Sequence, residues 1–297
     1  MKSSFKTVAL IGKYKSPEVV APLLKLARFL ERRKVEVLMG RIDGSRAGRV
    51  RYPILPLEEL GRRADLAIVI GGDGTMLNIA RTFAPYNVAL VGINQGRVGF
   101  MTDIGHNDMQ SGIGAILDGR YTLEERTLLD AEVIREHDSV LRTVALNEAV
   151  VGKGAQGRLI EFDLSLDGEF VYTLRADGVI VATPTGSTAY AMSAQGPILH
   201  PAVPALALVP LNPHTLSARP VSVTDRSVIE IVLVRAMDAR AHFDGFALTD
   251  MAEGDRLVLK RSADTVRFVH PPGYRYFATL REKLRWSETL DRDRDEV

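Results

Sequence analysis

The sequence predicts an α/β part followed by a mostly β part. From the N-terminus to about Arg120, short apolar runs alternate with stretches of helical periodicity. This alternation is typical of a parallel sheet with helices on its faces. From about Tyr121 onward, apolar residues alternate singly with polar ones, and Asp167-Gly168 forms a predicted hairpin turn. The second pattern indicates antiparallel strands.

Length and composition limit the classes of function. The 297 residues suffice for two domains with buried cores, and the net charge of +1 gives no sign of a nucleic-acid partner. The absence of cysteine excludes disulfides, thiolate zinc sites and a cysteine nucleophile. Prolines interrupt the apolar stretch Pro201–Leu211, and no segment resembles a signal peptide. We therefore expect a cytoplasmic protein with no membrane partner.

Local patterns define the elements of the α/β part. Ser16-Pro17 supplies a capping hydroxyl and a proline suited to the start of a helix. The predicted strands are Thr7–Ile11, Val35–Leu38, Leu66–Ile70 and Val88–Val91. Helical stripes of apolar residues run from Val20 to Leu30, from Met76 to Phe83 and from Met109 to Leu117.

The β part is predicted as a series of short strands. Ile160–Leu166 and Phe170–Leu174 flank the Asp167-Gly168 turn. Further strands are predicted at Ser227–Val234, Arg256–Lys260 and Val266–Val269, the last two separated by a turn at Ser262-Ala263-Asp264. The charged tail, Ser287–Val297, is expected to be frayed at its end.

Glycine-rich turns follow two neighbouring strands of the α/β part. Leu66–Ile70 runs into Gly71-Gly72-Asp73-Gly74-Thr75, and the next strand runs into Gly92–Phe100. Glycines let a ligand approach the backbone, and the N–H groups of a following helix favour phosphate. We therefore predict that Gly71, Gly72, Gly74 and Thr75 bind phosphate groups. Asp73 is unexpected there, because a carboxylate repels phosphate unless it binds a metal or takes a proton during the reaction.

Two further motifs place polar groups beside apolar strands. Asp177–Ser193 runs from a strand into a hydroxyl-rich loop that suits phosphate or ribose, although a capped turn containing threonines is an alternative. A helix is predicted to start at Tyr190–Ser193. Asn147-Glu148 interrupts the predicted strand Val144–Val151, either as part of a site or as the solvated face of an edge strand.

Other motifs favour ordinary structural roles. Gly152–Gly157 matches G-x-G-x-x-G but leads into a strand rather than a helix, which predicts a hairpin loop instead of a dinucleotide fingerprint. Arg158, just beyond it, could reach an anionic ligand or be a surface arginine. No Walker A loop is present, and the six histidines lack metal-ligand spacing.

In their order and spacing, these motifs resemble the NAD kinase family. The match includes Gly71–Thr75, Gly92-Ile93-Asn94 with Val98-Gly99-Phe100, Asn147-Glu148, Asp177–Ser193, Pro213–Pro220, and Tyr276-Phe277 with Leu280 and Leu284. Phosphofructokinases and diacylglycerol-type lipid kinases have similar G-G-D-G turns. The T-P-T-G-S-T-A-Y loop in addition makes the resemblance specific, and it covers nearly the whole chain.

The resemblance implies an architecture and an activity. It implies a Rossmann-like α/β domain over residues 1–122, a β-rich, sandwich-like domain over 123–270, and a final segment, 271–297, that packs back on the first domain. It also implies a homodimer or homotetramer. The implied reaction transfers the γ-phosphoryl group of ATP to the 2′-hydroxyl of the adenosine ribose of NAD+, with a divalent cation, Mg²⁺ or Mn²⁺.

The resemblance also assigns roles to residues. Asp73 would accept the proton of the ribose hydroxyl, with Gly74 beside the ligand. The other positions implied in NAD binding are Phe100, Asn147, Glu148, Arg158, Arg175, Asp177, Thr188, Ala189, Tyr190, Ala191, Met192 and Ser193. The sequence departs from the family at Gln195, where the first glycine of a Gly-Gly-Pro turn is usual. At Phe246 many members have glutamine, so we expect no polar contact from a neighbouring subunit there.

Two other functions remain open at the level of sequence. A lipid or sugar kinase could carry a similar glycine-rich turn, although no amphipathic stretch suggests the membrane contact of a lipid kinase. A non-catalytic dinucleotide sensor on the same fold would tolerate loss of Asp73, whereas here the acid stands in its full motif. The choice of phosphoryl donor and the use of NADH are open as well.

Overall fold

The computed structural model describes residues 5–13, 15–41, 51–96, 99–155, 158–245 and 247–286. The chain forms two compact units, one of Met1–Glu124 with Arg267–Val297 and the other of Glu125–Val266. The second unit is therefore continuous in sequence, whereas the first is made of two segments. The domain limits drawn from the sequence, at residues 122 and 270, stay a prediction.

The helices and strands alternate in the first unit, and strands dominate the second. The helices are α1 (Val20–Arg32), α2 (Leu57–Arg63), α3 (Asp73–Phe83), α4 (Met109–Leu117), α5 (Tyr190–Ser193) and α6 (Tyr276–Leu284). The strands are β1 (Thr7–Gly12), β2 (Glu36–Met39), β3 (Leu66–Ile70), β4 (Ala89–Asn94), β5 (Ile104–Gly105), β6 (Thr122–Arg135), β7 (Asp138–Ala145), β8 (Glu148–Lys153), β9 (Ile160–Leu166), β10 (Glu169–Ala176), β11 (Gly178–Ala182), β12 (Ala205–Leu211), β13 (Val221–Thr224), β14 (Ile229–Arg235), β15 (Ala239–Phe243), β16 (Ala247–Met251) and β17 (Arg256–His270). Within the described ranges, no helix combines the length and apolar character needed to cross a membrane.

The first unit is built on a parallel sheet. Its strand order is β4-β3-β1-β2, and the end of β17 pairs with β4 in parallel through Arg267 and Phe268. Every side chain of β3 is buried, since this strand lies inside the sheet with apolar residues on both faces. The stripes of α1 and α4 pack on the sheet, and Val269 of β17 belongs to the same apolar core.

The second unit is a sandwich of antiparallel strands. One sheet has the order β13-β12-β11-β8-β15-β16, and the other pairs β10, β9, β14 and the start of β17. A single core contains residues of both sheets, including Phe162 of β9 and Phe243 of β15. The predicted fold class, an α/β part and a β-rich part, is confirmed.

Two local predictions were wrong, the first of them only in part. The helical segment begins at Pro17 with Ser16 at the cap position, as predicted, but the Ser16 side chain makes no capping bond, and the first turn, Pro17–Val19, is a 3-10 turn that leads into α1. The turn predicted at Ser262-Ala263-Asp264 is absent, and β17 runs unbroken from Arg256 to His270. Ser262 is buried, so this small polar residue occupies an inward-facing position of the strand. Tertiary packing here outweighs a composition that is typical of turns.

The hairpin between β9 and β10 was predicted correctly. Asp167 and Gly168 both have positive φ values, 52° and 84°. Two left-handed residues in succession give the turn type whose twist matches that of paired strands. The conformation is costly for a side-chain-bearing residue, and glycine avoids this cost.

We expect Gly168→Ala to lower the free energy of unfolding by about 1 kcal/mol, because the left-handed conformation penalises a Cβ more than the lost freedom of the unfolded chain compensates. Urea unfolding measures the change. Gly105→Ala is the matched control, since Gly105 has φ −67° and a Cβ there would only touch Asp108 Oδ2 at 3.6 Å. Equal effects of the two substitutions would contradict the explanation.

Candidate functional site

Asp73 links the two glycine-rich turns of the first unit. It is the first residue of α3, directly after the buried strand β3. Its Oδ2 accepts the backbone N–H of Phe100 at 2.8 Å, and its Oδ1 accepts that of Met101 at 3.0 Å. The carboxylate is therefore held at a fixed position by the segment that follows β4.

A hydroxyl and an amide hold that segment in place. The buried Thr102 Oγ1 accepts hydrogen bonds from Asn94 Nδ2 and from the backbone N–H of Gly99, both at 3.1 Å. A Cβ on Gly99 would overlap the carboxylate of Asp73, so only glycine allows the close approach. Asn94 and Gly99 lie in the predicted motif, whereas Thr102 was not identified from the sequence.

The glycines around Asp73 have two different functions in the structure. A Cβ on Gly71 would lie 2.8 Å from Thr75 Oγ1, so Gly71 permits tight packing. Gly72 and Gly74 are exposed, and a Cβ on either would meet nothing within 4 Å. Their faces are open to an approaching group at the N-terminus of α3, where the helix dipole favours an anion.

Asn147 and Glu148 lie at a break between two strands. The prediction of one strand over Val144–Val151 is wrong, since β7 ends at Ala145 and β8 begins at Glu148. The cause is Asp244, whose carboxylate accepts the backbone N–H groups of Leu146 and Asn147 at 2.7 Å and of Glu148 at 3.0 Å.

Sequence reasoning missed Asp244. It is buried, and its own φ is 53°. The only local sign of it is the Asp-Gly pair after a strand, which is typical of an ordinary turn. The three backbone N–H groups that donate to its carboxylate lie almost a hundred residues earlier in the chain, so no local pattern reveals the contact.

Glu148 is a buried acid with an open hydrogen-bonding position. It is 8% exposed, and within the described part of the chain its Oε2 has no hydrogen-bond partner. Burial, which is the largest cause, and the negative charge of Asp244 together raise the pKa of Glu148 to about 7, against the opposing effect of a backbone hydrogen bond at Tyr190. Glu148 therefore exchanges its proton near neutral pH.

Glu148 lines a cavity of the second unit. The cavity has a volume of about 430 Å³. The polar and aromatic residues that line it include Glu148, Lys153, Asp177, Tyr190, Asn212 and His242. Three predicted positions thus come together, while Lys153, Asn212 and His242 were not identified from the sequence. Its size is in the range of small-molecule sites.

Asp177 is fixed as an anion at this cavity. Lys153 Nζ lies 2.7 Å from its Oδ1, and Asn212 Nδ2 donates to its Oδ2 at 2.9 Å. These two hydrogen bonds hold the pKa of Asp177 below its usual range. The cavity therefore combines one acid that stays ionised with another, Glu148, that titrates near neutrality.

The hydroxyl-rich loop packs against the break at Asn147. The backbone N–H of Thr183 donates to Asn147 O at 2.9 Å, and a Cβ on Gly186 would overlap the Asn147 backbone. A 3-10 turn at Gly186–Thr188 then leads into α5. The predicted positions beyond it differ in exposure: Thr188, Ala189 and Met192 are half-buried, Tyr190 and Ser193 are exposed, and Ala191 is buried.

Arg158 and Arg175 are not among the residues that line the cavity. Both are exposed, and Arg175 Nε lies 3.7 Å from Glu161 Oε2 in a surface ion pair. Gln195, which replaces a family glycine, is exposed with φ 62°, the left-handed conformation that glycine adopts without strain. Phe246 lies outside the described residues.

The described residues do not form a metal site of their own. Across the ranges that the structure describes, no group of three or more His, Asp or Glu side chains converges as metal ligands would. Asp73 accepts one hydrogen bond at Oδ2 and two at Oδ1, the second of these from Thr102 Oγ1 at 3.5 Å, and so retains a lone pair for one further partner. The described part of the chain therefore offers single carboxylates rather than a cage.

The chain is similar to known families and proteins over nearly its whole length. Residues 8–121 match the model of the ATP-NAD kinase N-terminal domain, and residues 146–271 match that of the ATP-NAD kinase C-terminal domain. The NAD kinase of Aromatoleum aromaticum is 57% identical over 290 residues, covering 97% of both chains. That of Nitrosospira multiformis is 52% identical over 287 residues, covering 97% of this chain and 98% of the relative.

Two solved structures share the fold. The crystal structure of yeast NADH kinase complexed with NADH gives a TM-score of 0.88 at 23% identity, covering 97% of this chain and 90% of that one. The crystal structure of an NAD kinase from Archaeoglobus fulgidus in complex with ATP gives 0.72 at 27% identity, with 94% and 98% covered. Both support the fold class predicted from the sequence.

The raised pKa of Glu148 predicts a pH dependence of stability. Because the folded pKa of about 7 lies above the ordinary value of 4.5, the stability that the bound proton provides is fully present below pH 4.5. It is lost as the pH rises through about 7. Relative to Glu148→Gln, the wild type should lose up to about 3 kcal/mol between pH 4.5 and 8, at 1.36 kcal/mol per pKa unit.

Urea unfolding of both proteins across this pH range measures the difference. Exposed Glu169→Gln is the matched control, and its stability curve should run parallel to that of the wild type. A Glu148→Gln curve that also runs parallel to the wild type would show that Glu148 ionises normally in the folded protein.

Proposed function

This chain belongs to the NAD kinase family, and we propose that it transfers the γ-phosphoryl group of ATP to the 2′-hydroxyl of the adenosine ribose of NAD+. The products are NADP+ and ADP. That the chain is an ATP-dependent NAD+ kinase follows from the family and from its curated relatives.

The observation that carries the proposal is the setting of Asp73. Its carboxylate is held by two backbone N–H groups beside glycines whose faces are open. A fixed carboxylate next to a phosphate-binding helix start suits a proton acceptor, because it can take the hydroxyl proton as the oxygen attacks phosphorus. Glycines and N–H groups alone would suit phosphate binding without a need for an acid.

The dinucleotide is assigned to the second unit. The cavity there presents the ionised Asp177, the titrating Glu148 and the exposed ring of Tyr190. Carboxylates can accept hydrogen bonds from ribose hydroxyls and adenine amino groups, and an aromatic ring can stack on a base. Asn147 and residues 188–193 would supply further contacts to the nucleoside.

A divalent cation is proposed on the triphosphate rather than in a protein cage. This fits the absence of a converging ligand set within the described ranges. Asp73 is the carboxylate best placed to contribute, since it stands at the helix start. The cation would neutralise phosphate charge as the γ-phosphoryl group transfers, and the N–H groups at the start of α3 would act in the same direction.

We further propose that the protein acts in the cytoplasm as a homodimer or homotetramer. The family resemblance supports both statements, and size-exclusion chromatography with light scattering tests the second. The proposed reaction itself is tested by incubating the protein with Mg²⁺, ATP and NAD+ and measuring NADP+ with a dehydrogenase specific for NADP+. Parallel reactions with diacylglycerol or fructose 6-phosphate identify a lipid or sugar kinase, and NAD+ binding without any turnover identifies a sensor.

Asp73→Asn should lower kcat by 10²- to 10⁴-fold, the range of general-base catalysis, and leave KM for NAD+ within about threefold. The asparagine amide keeps the shape but cannot take the proton, and its NH₂ group also replaces one of the two oxygens that accept the N–H groups of Phe100 and Met101. Steady-state rates of NADP+ formation measure both constants.

The matched control is Thr102→Val, which removes the hydroxyl bonds to Asn94, to Gly99 and to Asp73 Oδ1, and so loosens the hold on Asp73 but keeps the carboxylate. We expect its kcat to fall by no more than about tenfold. If the two variants lose the same factor in kcat, Asp73 acts through the structure of the turn and the proposed proton transfer is wrong.

Removal of divalent cations should abolish turnover without unfolding the protein. Dialysis against EDTA is expected to stop NADP+ formation, and added Mg²⁺ or Mn²⁺ should restore it, because the cation is held mainly by the triphosphate. The Tm should change by less than about 1 °C. Turnover that persists in EDTA would show that the reaction needs no divalent cation. A large fall in Tm would indicate a structural metal.

A further inference from the structure

A buried cluster of titratable side chains lies in the first unit, away from the groups assigned above. His270, at the end of β17, is 2% exposed. Its Nδ1 bonds to Asp103 Oδ2, and its Nε2 lies 3.5 Å from Glu124 Oε2. The ring of Tyr274 stacks on the imidazole with centroids 3.8 Å apart and planes 7° from parallel.

The two acids favour the protonated form of His270. Burial lowers the pKa of His270, but the hydrogen bond to Asp103, the proximity of Glu124 and the charges of both carboxylates outweigh it, so the pKa is raised. Nδ1 bonds to Asp103, whose carboxylate only accepts hydrogen bonds, so Nδ1 carries a proton. Nε2 faces Glu124 at 3.5 Å without a hydrogen bond within the described residues. His270 therefore lies between two acids from separate parts of the chain, one before α4 and one at the start of β6.

Asp103 connects this cluster to the segment around Asp73. It directly follows Thr102, whose hydroxyl organises Gly99 and Asn94. The backbone N–H groups that hold the Asp73 carboxylate belong to Met101 and Phe100, two and three residues before Asp103. A shift of Asp103 would thus be transmitted through two or three peptide units to the bonds that orient Asp73.

We propose that His270 is a positioning residue for phosphoryl transfer, which through Asp103 fixes the segment Gly99–Thr102 and thereby the carboxylate of Asp73. This inference rests on the proposed role of Asp73 for its effect on catalysis. The anchoring of the segment stands without that role, because it is a matter of contacts within the first unit.

Two substitutions separate the hydrogen bond from the ring. His270→Phe keeps a flat ring against Tyr274 but has no donor for Asp103. His270→Asn loses the ring but places an amide N–H near the position of Nδ1. His106→Gln is the control, because His106 is an exposed histidine of the same unit, three residues after Asp103.

The direct readout is amide hydrogen exchange of Gly99–Thr102, followed by mass spectrometry. In His270→Phe we expect exchange in this segment to become at least tenfold faster, kcat to fall about tenfold or more, and KM for NAD+ to stay within about twofold. His270→Asn should recover both exchange and kcat to within about threefold of the wild type. His106→Gln should match the wild type in all three.

Unchanged exchange of Gly99–Thr102 in His270→Phe would overturn the inference, even if activity falls. A lower Tm with normal exchange and normal kcat below the transition would assign His270 to stability alone and would overturn it too. If His270→Phe does not fold, Asp103→Ala takes its place because it removes the acceptor of the Nδ1 bond, and faster exchange is again required. A wild type that forms no NADP+ would refute the proposed function, while the exchange comparison would still decide the anchoring.

Discussion

The first unit depends on one carboxylate that accepts backbone N–H groups. Asp73 is bound by the N–H groups of Phe100 and Met101, so the turn after β3 and the segment after β4 hold each other. Parallel strands bring their carboxyl ends to one edge of a sheet, but they do not fix the loops there. A charged acceptor does, because its bonds to N–H groups are stronger than neutral ones. The group that orders the loops is also the one assigned to chemistry.

The second unit uses the same interaction at another place. Asp244 accepts three successive N–H groups, ends one strand and begins the next, and so turns Glu148 into the cavity. The two acids then interact through their charges, and Asp244 contributes to the raised pKa of Glu148. Asp244 therefore contributes both to the backbone break between β7 and β8 and to the pKa of Glu148. Replacing Asp244 would alter the backbone and the titration of Glu148 together.

Local signals in the sequence predict the glycine turns well and the supporting residues poorly. β3, α3 and the Asp167-Gly168 hairpin follow from apolar periodicity and turn chemistry, which act over a few residues. Asp244 and His270 contact groups 96 or more residues away, so no window reveals them. Likewise, Ser262-Ala263-Asp264 has the composition of a turn, and only the strand pairing on either side makes it part of β17.

Two strands, β6 and β17, each begin in one unit and end in the other, and this has a consequence for folding during synthesis. The second unit is one uninterrupted segment, so all of its core residues emerge from the ribosome together. The first unit begins the chain but lacks Val269 of its core, and one of the strands that pair with β4, until β17 has been made. The part translated first is thus completed last. The start of β4, at Ala89 and Leu90, has to be protected from wrong pairing in the meantime.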